Sequence, residues 1–141
     1  MTELQSPEIQ AFATGFPITL LHAGMTILFL VIGAGIYILL TPQKEITLIR
    51  EGNVAAAVSL GGMLVGLAIP LAVSLSASTS AVEIGLWGAA TIAVQLLVFR
   101  LTDLVLHGLP KRIQDGEMAA AALLVGVKLA TAIILAAAMA G

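Results

Sequence analysis

Four long apolar runs alternate with short polar stretches along the chain, at roughly residues 18–40, 54–76, 82–107 and 117–140. Each is long enough to cross a bilayer, which takes about 20 residues of helix, so each predicts a membrane-spanning α-helix. The first run ends at Thr41-Pro42, where proline stops helix continuation. Within it Thr19, His22, Thr26, Gly33 and Tyr37 project from one side at helical spacing. This polar or small stripe is expected to face other helices and to leave the Leu, Ile, Phe and Val positions to lipid. In the second run Gly62-x-x-x-Gly66 has the spacing that lets two helices approach closely. Pro70 removes the backbone hydrogen bond to the Gly66 carbonyl and should bend the helix there. The third run places Trp87 near its start, as an aromatic belt would. Gly88, Thr91, Gln95 and Thr102 form one stripe on it, and Arg100, Asp103 and His107 share a neighbouring face. The fourth run repeats the small-residue spacing at Gly126-x-x-x-Ala130 and carries Lys128 near its middle. Gly62, Gly66, Gly126, Ala130 and Pro70 are therefore the expected helix-packing positions.

The polar stretches are informative too. In residues 1–17 Ile9, Phe12 and Phe16 fall at helical spacing, which fits a short interfacial helix or a frayed end. Pro17 suits the first turn of a helix, where its missing N–H costs nothing. Loop 41–53 carries Lys44, Glu45, Arg50 and Glu51, and its Ile46, Leu48 and Ile49 should touch the membrane surface. Gly52-Asn53 closes it with a turn signal. A Ser/Thr-rich turn spans 77–82, and loop 108–116 is the counterpart of the first loop.

Residues 49–72 recur 64 positions later at 113–136. Eleven of the 24 positions are identical without a gap, among them Ile49/Ile113, Gly52/Gly116, Leu60/Leu124 and Gly62/Gly126. Alanine richness inflates such a match, but not a shared Ile-x-x-Gly turn followed at one distance by a shared glycine. The predicted architecture is all-α: a polytopic membrane protein with four transmembrane helices as a tandem repeat of two helical hairpins. An N-terminal extracytoplasmic tail, 1–17, precedes the first hairpin, 18–76, and the second is 82–141.

Composition agrees. The 141 residues are 60% hydrophobic and 10% charged, against about 25% charged in a soluble domain. The absence of Cys excludes disulfides and thiolate metal sites. The first ten residues lack the basic start of a cleaved signal peptide. Lys44, Arg50, Lys111 and Arg112 lie in the two hairpin loops, whereas the tail, the 77–82 turn and the C-terminal end hold no Lys or Arg. The positive-inside rule then places loops 41–53 and 108–116 in the cytoplasm and both termini outside.

Lys128 is the sharpest candidate for chemistry. A lysine at mid-helix costs about 2.5–3.5 kcal/mol on insertion scales, and the position 64 residues earlier is Leu64. Asp103, about 7–8 Å deep at 1.5 Å per residue, is one candidate partner, and the sequence leaves open whether the two pair. Both readings of such a pair stay open: an ion or proton site, or a pair that fixes packing. Gln95 and Thr91 could line a pathway with Lys128, or Gln95 could simply join two helices. Arg100 is expected to pair locally with Asp103 at i, i+3. Glu83 should be solvated near the outer interface, and His22 should make an interhelical hydrogen bond or titrate. His22 and His107 lie on opposite sides of the membrane, so no shared metal is expected. No phosphate loop, nucleophile elbow or zinc-protease motif is present. No enzyme activity, cofactor, metal or nucleic-acid partner is therefore expected.

The segments Thr41-Pro42, Ile49-x-x-Gly52-Asn53-x-Ala55-Ala56, Gly66-x-x-Ile69-Pro70-Leu71, and Trp87-Gly88 with Gln95-Leu96-Leu97-Val98-Phe99 resemble the YjfL family of bacterial membrane proteins. This is a domain of unknown function built from a duplicated two-helix unit. The resemblance covers roughly 18–141 and implies a bacterial inner-membrane location, with no reaction and no site residues attached. The resemblance also implies related proteins encoded beside membrane-stress and flotillin-like components, which weakly favours an envelope role. Two functions are expected. One is a homo-oligomeric element for permeation or transport of an ion or small solute. The other is a non-catalytic envelope-stress or membrane-organising component that binds lipid or membrane or cytoplasmic protein partners.

Overall fold

The computed structural model describes residues 6–41 and 44–141. Helices α1 (Pro7–Leu40), α3 (Val54–Ala77), α4 (Ala81–Val105) and α6 (Met118–Ala140) are long and apolar enough to cross a membrane. Two short helices, α2 (Glu45–Arg50) and α5 (Leu109–Gln114), occupy the hairpin loops. Pro42, expected to stop the first helix, lies outside the described residues, as do residues 1–5 of the tail.

The first helix starts eleven residues before its apolar run. The Ser6 hydroxyl accepts a hydrogen bond from the Ile9 N–H at 3.3 Å, Pro7 fills the first helical position, and Glu8 adds a negative charge to the first turn. These are strong start signals, and they override Pro17, which lies inside α1 and not in its first turn. Ile9, Phe12 and Phe16 are exposed on this extension, with the two phenyl rings stacked at 4.9 Å.

The short helices repeat closely. Glu45 and Arg50 bound α2, and Leu109 and Gln114 bound α5, an offset of 64 at both ends (109 − 45 and 114 − 50). Gly52 and Gly116, also 64 apart, each turn the chain with a left-handed backbone at φ +89° and +85°, which a Cβ would strain. Helices α3 and α6 then start at Val54 and Met118. Asn53 ties the two units together. Its Oδ1 caps α3 through the Ala56 N–H at 3.0 Å, while its Nδ2 donates to the Ile113 and Gln114 carbonyls at 3.0 and 3.1 Å.

Helix α3 packs most extensively on α6, and α1 packs on both α3 and α4. One apolar cluster fills the centre of the bundle with Tyr37, Met63, Leu67, Leu71, Ile92, Leu96 and Phe99. A second holds α5 against the first turns of α3 and α6 through Leu109, Ile113, Ala55, Ala56, Ala120, Ala121 and Leu124. Outside these, Leu20, Ile27, Val31, Leu39, Leu97, Leu101 and Ile134 are exposed. That belt is far larger than a water-soluble monomer shows and suits lipid.

The glycine positions divide. A Cβ at Gly66 would lie 2.7 Å from Phe99 Cζ, and one at Gly62 would overlap Val125, so both are close-approach points. Gly126 has nothing within 4 Å of its missing Cβ, and Ala130 is exposed. Within the protomer they do not pack helices as expected. Helix α6 instead buries the adjacent stripe of Ala120, Leu124, Lys128, Ala132 and Ala136, spaced four residues apart.

Candidate functional site

Four polar side chains from four helices meet near the loop end of the bundle. Lys128 (α6), Tyr37 (α1), Glu45 (α2) and Asp103 (α4) are 1%, 2%, 4% and 7% exposed. Tyr37 and Asp103 lie within one turn of the ends of α1 and α4. Lys128 lies ten residues into α6, about 15 Å along its axis. Its side chain reaches the others because helical side chains lean toward the N-terminus, here the loop side.

The Lys128 Nζ lies 3.0 Å from Asp103 Oδ1, as an ion pair and not as an aligned hydrogen bond. It also donates to the Tyr37 hydroxyl. That hydroxyl in turn donates to Asp103 Oδ2 at 2.6 Å, so Tyr37 bridges the ammonium and the carboxylate. The ammonium stands 4.4 Å from the Tyr37 ring centroid and 5.3 Å from that of Phe99. Both aromatic faces favour a cation there. Glu45 completes the group, with its Oε2 buried and without a hydrogen-bond partner. Burial pushes its carboxyl up to about 7, with Lys128 opposing that rise and Asp103 reinforcing it.

The offset of 64 sharpens the picture. The positions matching Tyr37, Glu45, Asp103 and Lys128 are Leu101, Leu109, Leu39 and Leu64. Leu39, Leu101 and Leu64 are 86%, 52% and 37% exposed, whereas Leu109 is 8% exposed and sits in the second apolar cluster. The polar tetrad therefore exists once, and its leucine counterparts face lipid or pack in the core. Weighing only the charges inside spans misses Tyr37 and Glu45 as site residues. The same polar-for-Leu contrast that marks Lys128 finds them.

The other candidates lie apart from this tetrad. Arg100 is half-buried on α4, but Asp103 takes Lys128 and Tyr37 as its partners instead. The expected local pair is displaced because a fully buried lysine needs the carboxylate more than a half-solvated guanidinium does. Gln95 donates from Nε2 to the Gly66 carbonyl at 2.9 Å. That carbonyl is the one left without its helical donor by Pro70, so Gln95 repairs the break. Its Oε1 is buried and unpaired. Thr91 donates to Met139 Sδ at 3.4 Å. Both lie beyond Phe99 from Asp103 on α4, and the wholly buried Phe99, Met63 and Leu67 close the space between. Glu83 caps α4: its carboxylate accepts from the Thr79 N–H at 2.9 Å, and its own N–H donates to Ser80 Oγ. His22 lies fifteen residues before Tyr37 on α1, about 22 Å away along the axis.

A family model described as "Domain of Unknown Function (DUF350)" matches residues 11–139. The UPF0719 inner membrane protein YjfL of Escherichia coli (strain K12) is 34% identical over 96 residues, covering 68% of this chain and 70% of that protein. The protein of the same name from Escherichia coli O157:H7 matches to the same extent. No solved structure matches the chain.

Proposed function

The chain belongs to the DUF350 family, and from that premise we propose that it is an ion or small-solute permeation element of the bacterial inner membrane. It spans that membrane several times, in keeping with its four apolar helices and with its relatives. The tetrad of Lys128, Asp103, Tyr37 and Glu45 is the polar station on the path. One observation carries this reading: a buried ion pair with an additional carboxyl is built from four positions whose counterparts 64 residues away are all leucines, two in each hairpin. The counterpart leucines face lipid or pack in the core without any charge, and ionisable groups within spanning segments mark ion or proton pathways by default.

The two halves act as tandem copies of one hairpin, a reading supported by the common offset of α2/α5 and Gly52/Gly116. The loops with Lys44, Arg50, Lys111 and Arg112 face the cytoplasm and both termini face outside. Phe99, Met63 and Leu67 close the protomer centre beyond the tetrad, so the path enters at the tetrad from the loop side and its remaining length runs along an interface of a homo-oligomer. The outward face of Gly126 and Ala130 suits helix contacts between protomers. Reconstitution tests this reading. Oligomers in mild detergent, with flux of a small ion altered by Lys128→Ala, are expected. A monomer whose vesicles stay tight to a panel of cations and anions would overturn it.

A second reading has its own observation. The closed core, with exposed Lys44, Arg50 and Lys111 on the loop side, also fits a membrane-organising component. Such a component would hold anionic lipid or a partner protein through those charges. Vesicle binding that depends on the basic residues, without flux, would favour it.

A further inference from the structure

We propose that Glu45 is a proton-binding site, through which the tetrad exchanges a proton with the aqueous phase beside α2, so that the proton is the species the tetrad takes. This rests on the reading of the tetrad as a permeation station.

The placement of Glu45 carries the inference. It is the first residue of α2, outside the spanning helices, yet 4% exposed. Its neighbours in the chain, Lys44 and Ile46, are exposed. Water is therefore one residue away from a carboxyl that points inward. Its Oε2 is a buried acceptor with no partner, a state that native interiors rarely leave unexplained.

Charge counting explains what the oxygen is for. Lys128 and Asp103 neutralise each other, and Tyr37 is neutral and engaged by both. Glu45 then adds one uncompensated negative charge to a site shielded from solvent. The groups acting on it are Lys128 from α6 and Asp103 from α4, with Tyr37 from α1 coupled to it, while the half-buried Arg100 of α4 acts on Tyr37 and Lys128. Helix α3, which also packs against α2, carries no charged side chain. With all four tetrad members nearly inaccessible, a hydrated metal cation has no room to enter. A proton needs none. Hydronium at the loop surface gives its proton to the carboxylate oxygen, one O–H bond forms as another breaks, and water departs. The reverse step returns the proton. Burial sets the exchange near neutrality, with the carboxyl at about 7.

The fold does not require a carboxyl here. The matching first residue of α5 is Leu109, which packs as an ordinary core residue. Glu45→Leu therefore copies the residue that the chain itself uses at the equivalent place, beside the near-isosteric Glu45→Gln.

Infrared titration of the full protein in lipid, from about pH 5 to 9, reads the site directly. A protonated-carboxyl C=O band half-lost near pH 7, absent in Glu45→Gln and Glu45→Leu, is expected. Proton uptake by proteoliposomes under a potassium-valinomycin potential should fall at least tenfold in both variants. No such band in the wild-type protein would overturn the inference whatever the flux. Lys128-dependent flux of other ions, unchanged in both Glu45 variants and without proton flux, would overturn it and keep the permeation reading. A titrating Glu45 band in vesicles tight to every ion would support the proton site and remove the permeation reading.

Discussion

Removing one member of the Lys128–Asp103 pair should be far more harmful than removing both. In Lys128→Met the Asp103 carboxylate stays buried with only the Tyr37 hydroxyl to stabilise it. In Asp103→Asn the ammonium keeps Tyr37 and the two aromatic faces but loses its counter-charge. Breaking a buried pair from one side costs about 3–5 kcal/mol, and the low exposure of both groups removes the solvent screening that would soften this. The double variant Lys128→Met/Asp103→Asn carries neither charge into the bundle, and Tyr37 can still donate to the amide oxygen that replaces the carboxylate. Its cost should be about 2 kcal/mol or less, since charge-free replacements of buried pairs are often neutral. The coupling between the two sites is then at least about 4 kcal/mol. Equilibrium unfolding in mixed micelles, followed through the fluorescence of the single tryptophan, Trp87, measures all four corners of the cycle. Single costs that add to the double cost within about 0.5 kcal/mol would show that the two groups act independently, and the tetrad would lose its physical basis.

Three further outcomes follow from the same geometry. Glu45, raised from 4.5 to about 7, holds its proton more tightly when folded. Its contribution is whole below about pH 4.5 and is lost as pH rises to about 7, by roughly 3 kcal/mol at 1.36 kcal/mol per unit. Melting curves of the wild-type protein should fall across that window, and those of Glu45→Gln should be flatter; parallel curves would contradict the assignment. Gln95→Leu orphans the Gly66 carbonyl and should cost about 1–3 kcal/mol. Adding Pro70→Ala, which restores the helical donor, should recover most of that loss; a double variant as unstable as the sum of the singles would refute the repair. Gly66→Ala pushes into Phe99 and should cost about 1–3 kcal/mol, relieved by Phe99→Leu, with unchanged melting of the single variant as the contrary result.

Much of the fold is legible because bilayer physics writes it in long apolar runs. The starts of α3 and α6 fall within a residue of the run boundaries. The start of α1 is harder to read because Pro17 competes with Ser6-Pro7-Glu8 as a start signal, and capping chemistry prevails. Lys128 and Asp103 are visible as charges in apolar helices. Glu45 is hidden because the sequence places it in a charged loop, and only packing shows that α2 turns it inward. Tyr37 is visible as a stripe residue, but a tyrosine at a helix end reads equally well as an interface residue. Gly126 and Ala130 mislead because small-residue spacing marks a face that can pack, and within the protomer α6 uses the face beside it.

Flux in proteoliposomes, with the wild-type protein beside Lys128→Met/Asp103→Asn, tests the tetrad as a permeation station most directly. The double variant strips both charges of the pair and is expected to keep the fold at a cost of about 2 kcal/mol or less, which its unfolding curve checks, so lost flux is then not assigned to unfolding. Ion or proton flux in the wild type, reduced at least tenfold in the double variant, is the predicted result. Equal flux in both, or vesicles that stay tight with correctly inserted wild-type protein, would contradict the claim.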